Sequence, residues 1–192
     1  MPDTITRVVS YEKDVYGALV AVAVVLVSSC GSSKSTQSEL YETPCSGPGF
    51  RTEVSHFRAA ASAVAGNEDV ARKQATASAR QELATIINTT VKAVADNYAK
   101  NYVKGEEAET TQRYEDLGRT VVNQRLTGSH VICEKYRKNA NGTFTCYVCV
   151  ELASEDVLAA LNSSISDDSK LRIDYDYEKF KKIFEEEMSK AQ

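Results

Sequence analysis

From Ala71 to Tyr98 the apolar residues fall at three- and four-residue steps without a break. Ala71, Ala75, Ala79, Leu83, Ile86, Ile87, Thr90, Val91, Val94 and Tyr98 trace one face of a helix that the spacing predicts from about Glu68 to Val103. Asn67 is placed as its N-cap, and Glu68 and Asp69 occupy the first turn, where the helix dipole favours acids. Gly105 is expected to end it. Alanines in the first half leave a slim surface that lets the helix lie close against a sheet. Such a helix needs strands to cover, and the flanking sequence provides candidates.

Phe57–Val64 alternates Phe57, Ala59, Ala61 and Ala63 against Arg58, Ala60, Ser62 and Val64, the period of a strand. Alanine favours helix intrinsically, so a helical continuation is the competing reading. A second helix is expected over residues 106–124, although Gly118 interrupts it. His130–Lys138 and Thr143–Leu152 flank Asn139-Ala140-Asn141-Gly142, and Asn-Gly is a strong hairpin signal. Taking Asn141-Gly142 as a two-residue turn places Cys133 opposite Val150, with Val131 and Cys133 beside Phe144, Cys146, Val148, Val150 and Leu152 on the core face. Ser154 is expected to cap a short helix with Val157, Leu158 and Leu161. A last helix over about Asp174–Lys190 carries Tyr177, Phe180, Ile183, Phe184 and Met188 as its stripe. The fold class is therefore α+β: a small β-α-(α)-β-β sheet packed by a long Ala-rich helix, with C-terminal helices.

The N-terminal part reads differently. Residues 18–27 are ten consecutive apolar positions, followed by Ser28, Ser29 and Cys30. A spanning helix needs roughly 20 apolar residues, so the run has the length of a signal-peptide h-region instead. The preceding residues carry Arg7 and Lys13 against Asp3, Glu12 and Asp14. Ser28-Ser29-Cys30-Gly31 resembles the lipobox of bacterial lipoproteins, although Val27 stands where those proteins favour Leu. The resemblance implies cleavage by signal peptidase II before Cys30 and lipidation of that cysteine. Residues 1–29 would be a signal peptide, and 30–49 the lipidated cysteine with a flexible Ser-, Gly- and Pro-rich tether that buries too little apolar surface to order. Gly31 and the absence of an acidic run in the following residues point, by the same resemblance, to the periplasmic face of the outer membrane.

Removing residues 1–29 takes away two of 23 basic and three of 27 acidic residues, leaving 163 residues with a net charge of −3. That balance gives no electrostatic reason to expect nucleic acid as a partner. The 163 residues suffice for one core.

Phe57-Arg58-Ala59, the Ala71/Ala75/Ala79 ladder, Arg80-Gln81-Glu82-Leu83-Ala84 and the hairpin Gly142–Leu152 together resemble the LPP20 family of bacterial lipoproteins over residues 50–155. The resemblance implies a dodecin-reminiscent β-α-β-β domain and no established catalytic activity. Residues 156–192 lie outside it and are read as a C-terminal helical extension.

Sites are sparse. The chain has two histidines, His56 and His130, both read as surface or strand residues, and no G-x-S-x-G elbow. Asp174–Glu178 lacks the glycine and distal glutamate of a calcium loop. Lys135-Tyr136-Arg137-Lys138 reads as charges protecting a sheet edge, with an anionic envelope polymer as the functional alternative. Cys45, Cys133, Cys146 and Cys149 allow three complete pairings. The hairpin register predicts Cys133 and Cys146 as buried, reduced core residues. Cys45, in the tether, would reach Cys149 if any bridge forms. No catalytic residue, metal site or cofactor is expected, and Cys30 is the one functional position. The expected function is a binding or structural role at the envelope, with an envelope protein or glycan as partner and homo-oligomers admitted. The rival readings are a dodecin-like oligomer holding a small ligand and a hydrolase whose site the sequence does not reveal.

Overall fold

The computed structural model describes residues 42–103 and 107–191. The h-region, Cys30 and Gly105 lie outside the described residues. Three antiparallel strands form one sheet in the order β1-β3-β2: β1 (His56–Ala65), β2 (His130–Lys138) and β3 (Phe144–Ala153). Among the described residues, four α-helices accompany it: α1 (Glu68–Tyr102), α2 (Glu107–Arg125), α3 (Ser154–Asp167) and α4 (Tyr177–Lys190). The α+β class and the long helix on a small sheet are as the periodicities predict.

Asn67 caps α1, its side-chain oxygen accepting from the Val70 N–H at 2.9 Å. Ala71, Ala75, Ala79, Leu83, Ile87 and Val94 are buried along it, and α1 packs mainly on β1 and β3. Their partners are Phe57 and Ala59 of β1 and Cys146, Val148, Val150 and Leu152 of β3. β2 overhangs this contact, with Glu134 through Lys138 exposed, which suits an edge strand carrying Lys135, Arg137 and Lys138.

α2 returns along the second half of α1. Gly118 makes that close approach feasible: a Cβ there would sit 2.4 Å from Val91 Cγ1. The residue that weakens the helix prediction is thus the one that permits the helix pair. Val157, Leu158, Leu161, Phe180, Ile183, Phe184 and Met188 of α3 and α4 join the same core. Phe57 of β1 meets Phe184 of α4 edge-on at 6.2 Å between ring centres, and Tyr98, Tyr114, Tyr175 and Phe180 form an aromatic cluster joining α1, α2 and α4. Tyr98 is fully buried. Its hydroxyl donates to the Asp174 carbonyl at 3.1 Å and accepts from the Asp176 N–H at 2.7 Å. Asp176 in turn caps α4.

The hairpin register differs from the two-residue turn. The Asn139 N–H donates to the Thr143 carbonyl at 2.8 Å and the Asn139 carbonyl accepts from Gly142 at 3.0 Å, leaving a three-residue loop with Gly142 at φ 83°. This is the type I turn plus left-handed residue of longer hairpin loops. Tyr136 therefore pairs with Cys146. The same register pairs Cys133 with Cys149, and a bulge at Ile132 then shifts the ladder once more, so Val131 pairs with Val150 and His130 with Glu151. Each one-residue shift exchanges faces. Cys133 consequently lies on the face away from α1, not in the core with Cys146.

Candidate functional site

The sheet face away from α1 is covered by the chain segment before β1. Cys45, read from sequence as part of a flexible tether, is only 5% exposed and bonded to Cys133, with Cα atoms 5.5 Å apart. This corrects both thiol expectations: Cys133 is neither reduced nor in the core, and Cys45 pairs with it and not with Cys149. The register explains why, since it brings Cys133 to the face that residue 45 crosses. Cys146 and Cys149 are free and buried. Burial pushes the Cys149 thiol up to about 11, so it carries almost no thiolate at neutral pH. Farther along the segment, the Thr52 hydroxyl donates to the Arg58 carbonyl and accepts from the Arg58 N–H, both at 3.1 Å.

Beside that strap lies a charged cluster the sequence reading missed. Glu151 of β3 is 9% exposed and pairs across the ladder with Arg58 of β1 and His130 of β2. Arg58 Nε donates to Glu151 Oε2 at 2.5 Å, while Nη2 reaches Glu53 Oε1 at 2.9 Å. His56 Nε2 and His130 Nε2 approach the other oxygen, Oε1, at 3.8 and 3.5 Å. His56 Nδ1 meets the Ser55 hydroxyl at 2.8 Å. Burial works to lower the Arg58 pKa, but the hydrogen bond and charge of Glu151, with those of Glu53, outweigh it and raise it. The Ser55 hydroxyl and the Arg58 charge hold the Glu53 carboxyl below its usual range. Strand alternation put Arg58 and Glu151 on one face. What hid the cluster was the separation of 93 residues between them and the unforeseen bulge that aligns His130 with Glu151. Among the described residues, no three His, Cys, Asp or Glu side chains are arranged to hold a metal ion.

His56, Ser55 and Glu53 also form one wall of a cleft of about 750 Å³ between the start of β1, the β3–α3 junction and α4. Ala153, Leu158 and Phe184 give it an apolar floor, and Val54 and Tyr177 stand partly exposed on its sides. Glu53, Glu155, Glu185 and Lys181 complete the rim. The size and the apolar floor with few polar groups are those of small-ligand sites. Ser154, expected as the cap of α3, is its first residue; its hydroxyl donates to the Val54 carbonyl at 2.7 Å and holds the cleft wall against the helix start.

Arg80, singled out within the Arg-Gln-Glu-Leu-Ala motif, reaches the Ser129 hydroxyl at 3.2 Å and carbonyl at 3.4 Å, fixing the entry to β2 rather than facing the cleft. Asp174–Glu178 divides between Tyr98's hydrogen bonds and the α4 cap. Among the described residues no helix is long and apolar enough to cross a membrane. No protein-family model, curated protein or solved structure matches the chain.

Proposed function

We propose that this chain is a lipid-anchored lipoprotein of the bacterial cell envelope, held at Cys30 on the periplasmic face of the outer membrane, that acts by binding rather than by catalysis. The observation that carries the reading is the Cys45–Cys133 bridge. Disulfides of this structural kind persist in oxidising compartments and are rare in the cytosol, which agrees with an exported chain and with the short apolar run ending in Ser28-Ser29-Cys30. Stable anchoring takes two or more acyl chains, the modification that the lipobox resemblance implies for Cys30. The cleft beside His56 is the binding site of this reading.

Labelling of cells with a palmitate analogue tests the anchor. The wild-type protein takes up label and Cys30→Ala does not, accumulating as the unprocessed precursor; equal labelling of both ends the lipoprotein reading. Protease treatment of intact cells should spare the protein, and rapid digestion would move it to the cell surface.

A further inference from the structure

We infer that the cleft between β1, α3 and α4 takes a small molecule carrying an ammonium group on an apolar body; the inference rests on the binding reading above and names its ligand class. The charge around the cleft selects the cation. Three carboxylates, Glu53, Glu155 and Glu185, face one lysine, Lys181, which lies 3.9 Å from Glu185. Glu53 is engaged by Arg58. Glu155 has no hydrogen bond or ion pair with any described residue, so it is the carboxylate left for a ligand. An anion has less to gain, because Glu155 and Asp156 in the first turn of α3 already meet the positive end of that helix.

The apolar part of the ligand is called for by the floor. Leu158 and Phe184 are buried beneath it, whereas Val54 and Tyr177 keep 42% and 37% of their surface exposed on its sides. Covering the two would remove apolar surface from water, at about 25 cal/mol per Å². An ammonium seated on the face of the partly exposed Tyr177 ring would gain an attraction that a carboxylate would not. A carboxylate rim, an aromatic wall and an apolar floor together favour an arylalkyl or alkyl amine over its acidic counterpart.

The test uses 2-phenylethylamine and its anionic counterpart of similar size, 3-phenylpropionate, titrated into the 15N-labelled chain from Cys30 onward at neutral pH. Saturable shifts confined to Val54, Ser55, Glu155, Tyr177 and Phe184 are expected with the amine, and binding of the anion at least tenfold weaker. Glu155→Gln should weaken the amine roughly two- to fivefold, the range of a partly solvated ion pair, with the rest of the amide spectrum unchanged. Should that variant fail to fold, the wild-type titration at 0.1 and 0.5 M salt replaces it, and amine affinity must fall at the higher salt. Equal or tighter binding of the anion overturns the ligand class while leaving a binding cleft. Absence of saturable shifts with either probe overturns the inference altogether. Neither result bears on palmitate labelling at Cys30, so anchoring stands or falls separately.

Discussion

Cys45 and Cys133 close a loop of 88 residues in sequence separation, the kind of constraint whose loss costs a small domain about 2–4 kcal/mol. A Cys45→Ser variant should therefore unfold at lower denaturant, and the strap over the outer sheet face should exchange its amides faster; an unchanged midpoint would mean that the bridge contributes little. Gly118 makes a second residue-scale case. A methyl placed 2.4 Å from the short, β-branched Val91 side chain forces α1 and α2 apart, so Gly118→Ala should destabilise by about 1–3 kcal/mol, although alanine is the better helix former. Stabilisation measured by thermal melting would show that the two helices separate without cost. The Arg58–Glu151 pair behaves by the same logic of neighbours: both side chains are largely buried, and truncating Glu151 leaves Arg58 only the half-exposed Glu53 as a carboxylate partner. Glu151→Ala should cost more than the double replacement by apolar residues, by the asymmetry that governs buried pairs.

Among the elements, the corner after α3 has a pH signature. The Leu171 N–H, then the Lys170 N–H and Arg113, hold the Asp168 carboxyl below its usual range against the opposing effect of burial. A lowered folded pKa means stability that is present above the ordinary carboxyl pKa of about 3.9 and lost as pH falls through the lower folded value. Amide exchange at Lys170 and Leu171, corrected for its intrinsic pH dependence, should accelerate only from roughly pH 4 downward. Acceleration already at pH 6 would contradict the assignment. The elements themselves were legible: helix periodicity and Asn67 located α1, alternation located β1 and β3, and the stripe from Phe180 to Met188 located α4. Register was not, because the Asn139–Thr143 loop and the bulge at Ile132 each move pairing by one residue while leaving the alternating pattern intact. The loop alone reassigned Cys133, and the loop and the bulge together aligned His130 with Glu151. The cleft was illegible for a related reason: Ser55, Glu155 and Tyr177 come from three elements whose meeting no local pattern encodes.

Among the described residues, one core joins the sheet, the long helix and the C-terminal helices, and its tyrosines report on it. Burial raises the pKa of Tyr98, Tyr114 and Tyr175. Their contribution is present below pH 10 and lost as pH rises through the raised folded values. Ultraviolet titration should show these three tyrosines ionising only with alkaline unfolding. The central claim, that this core belongs to an exported and acylated chain, is tested most directly by peptide mass mapping of the native protein, extracted from membranes without reductant. The account predicts an N-terminal peptide beginning at acylated Cys30 and a single crosslink joining Cys45 to Cys133, with Cys146 and Cys149 alkylated only after unfolding. A peptide running intact through Ser29-Cys30, with Cys45 alkylated in the native protein, would contradict it.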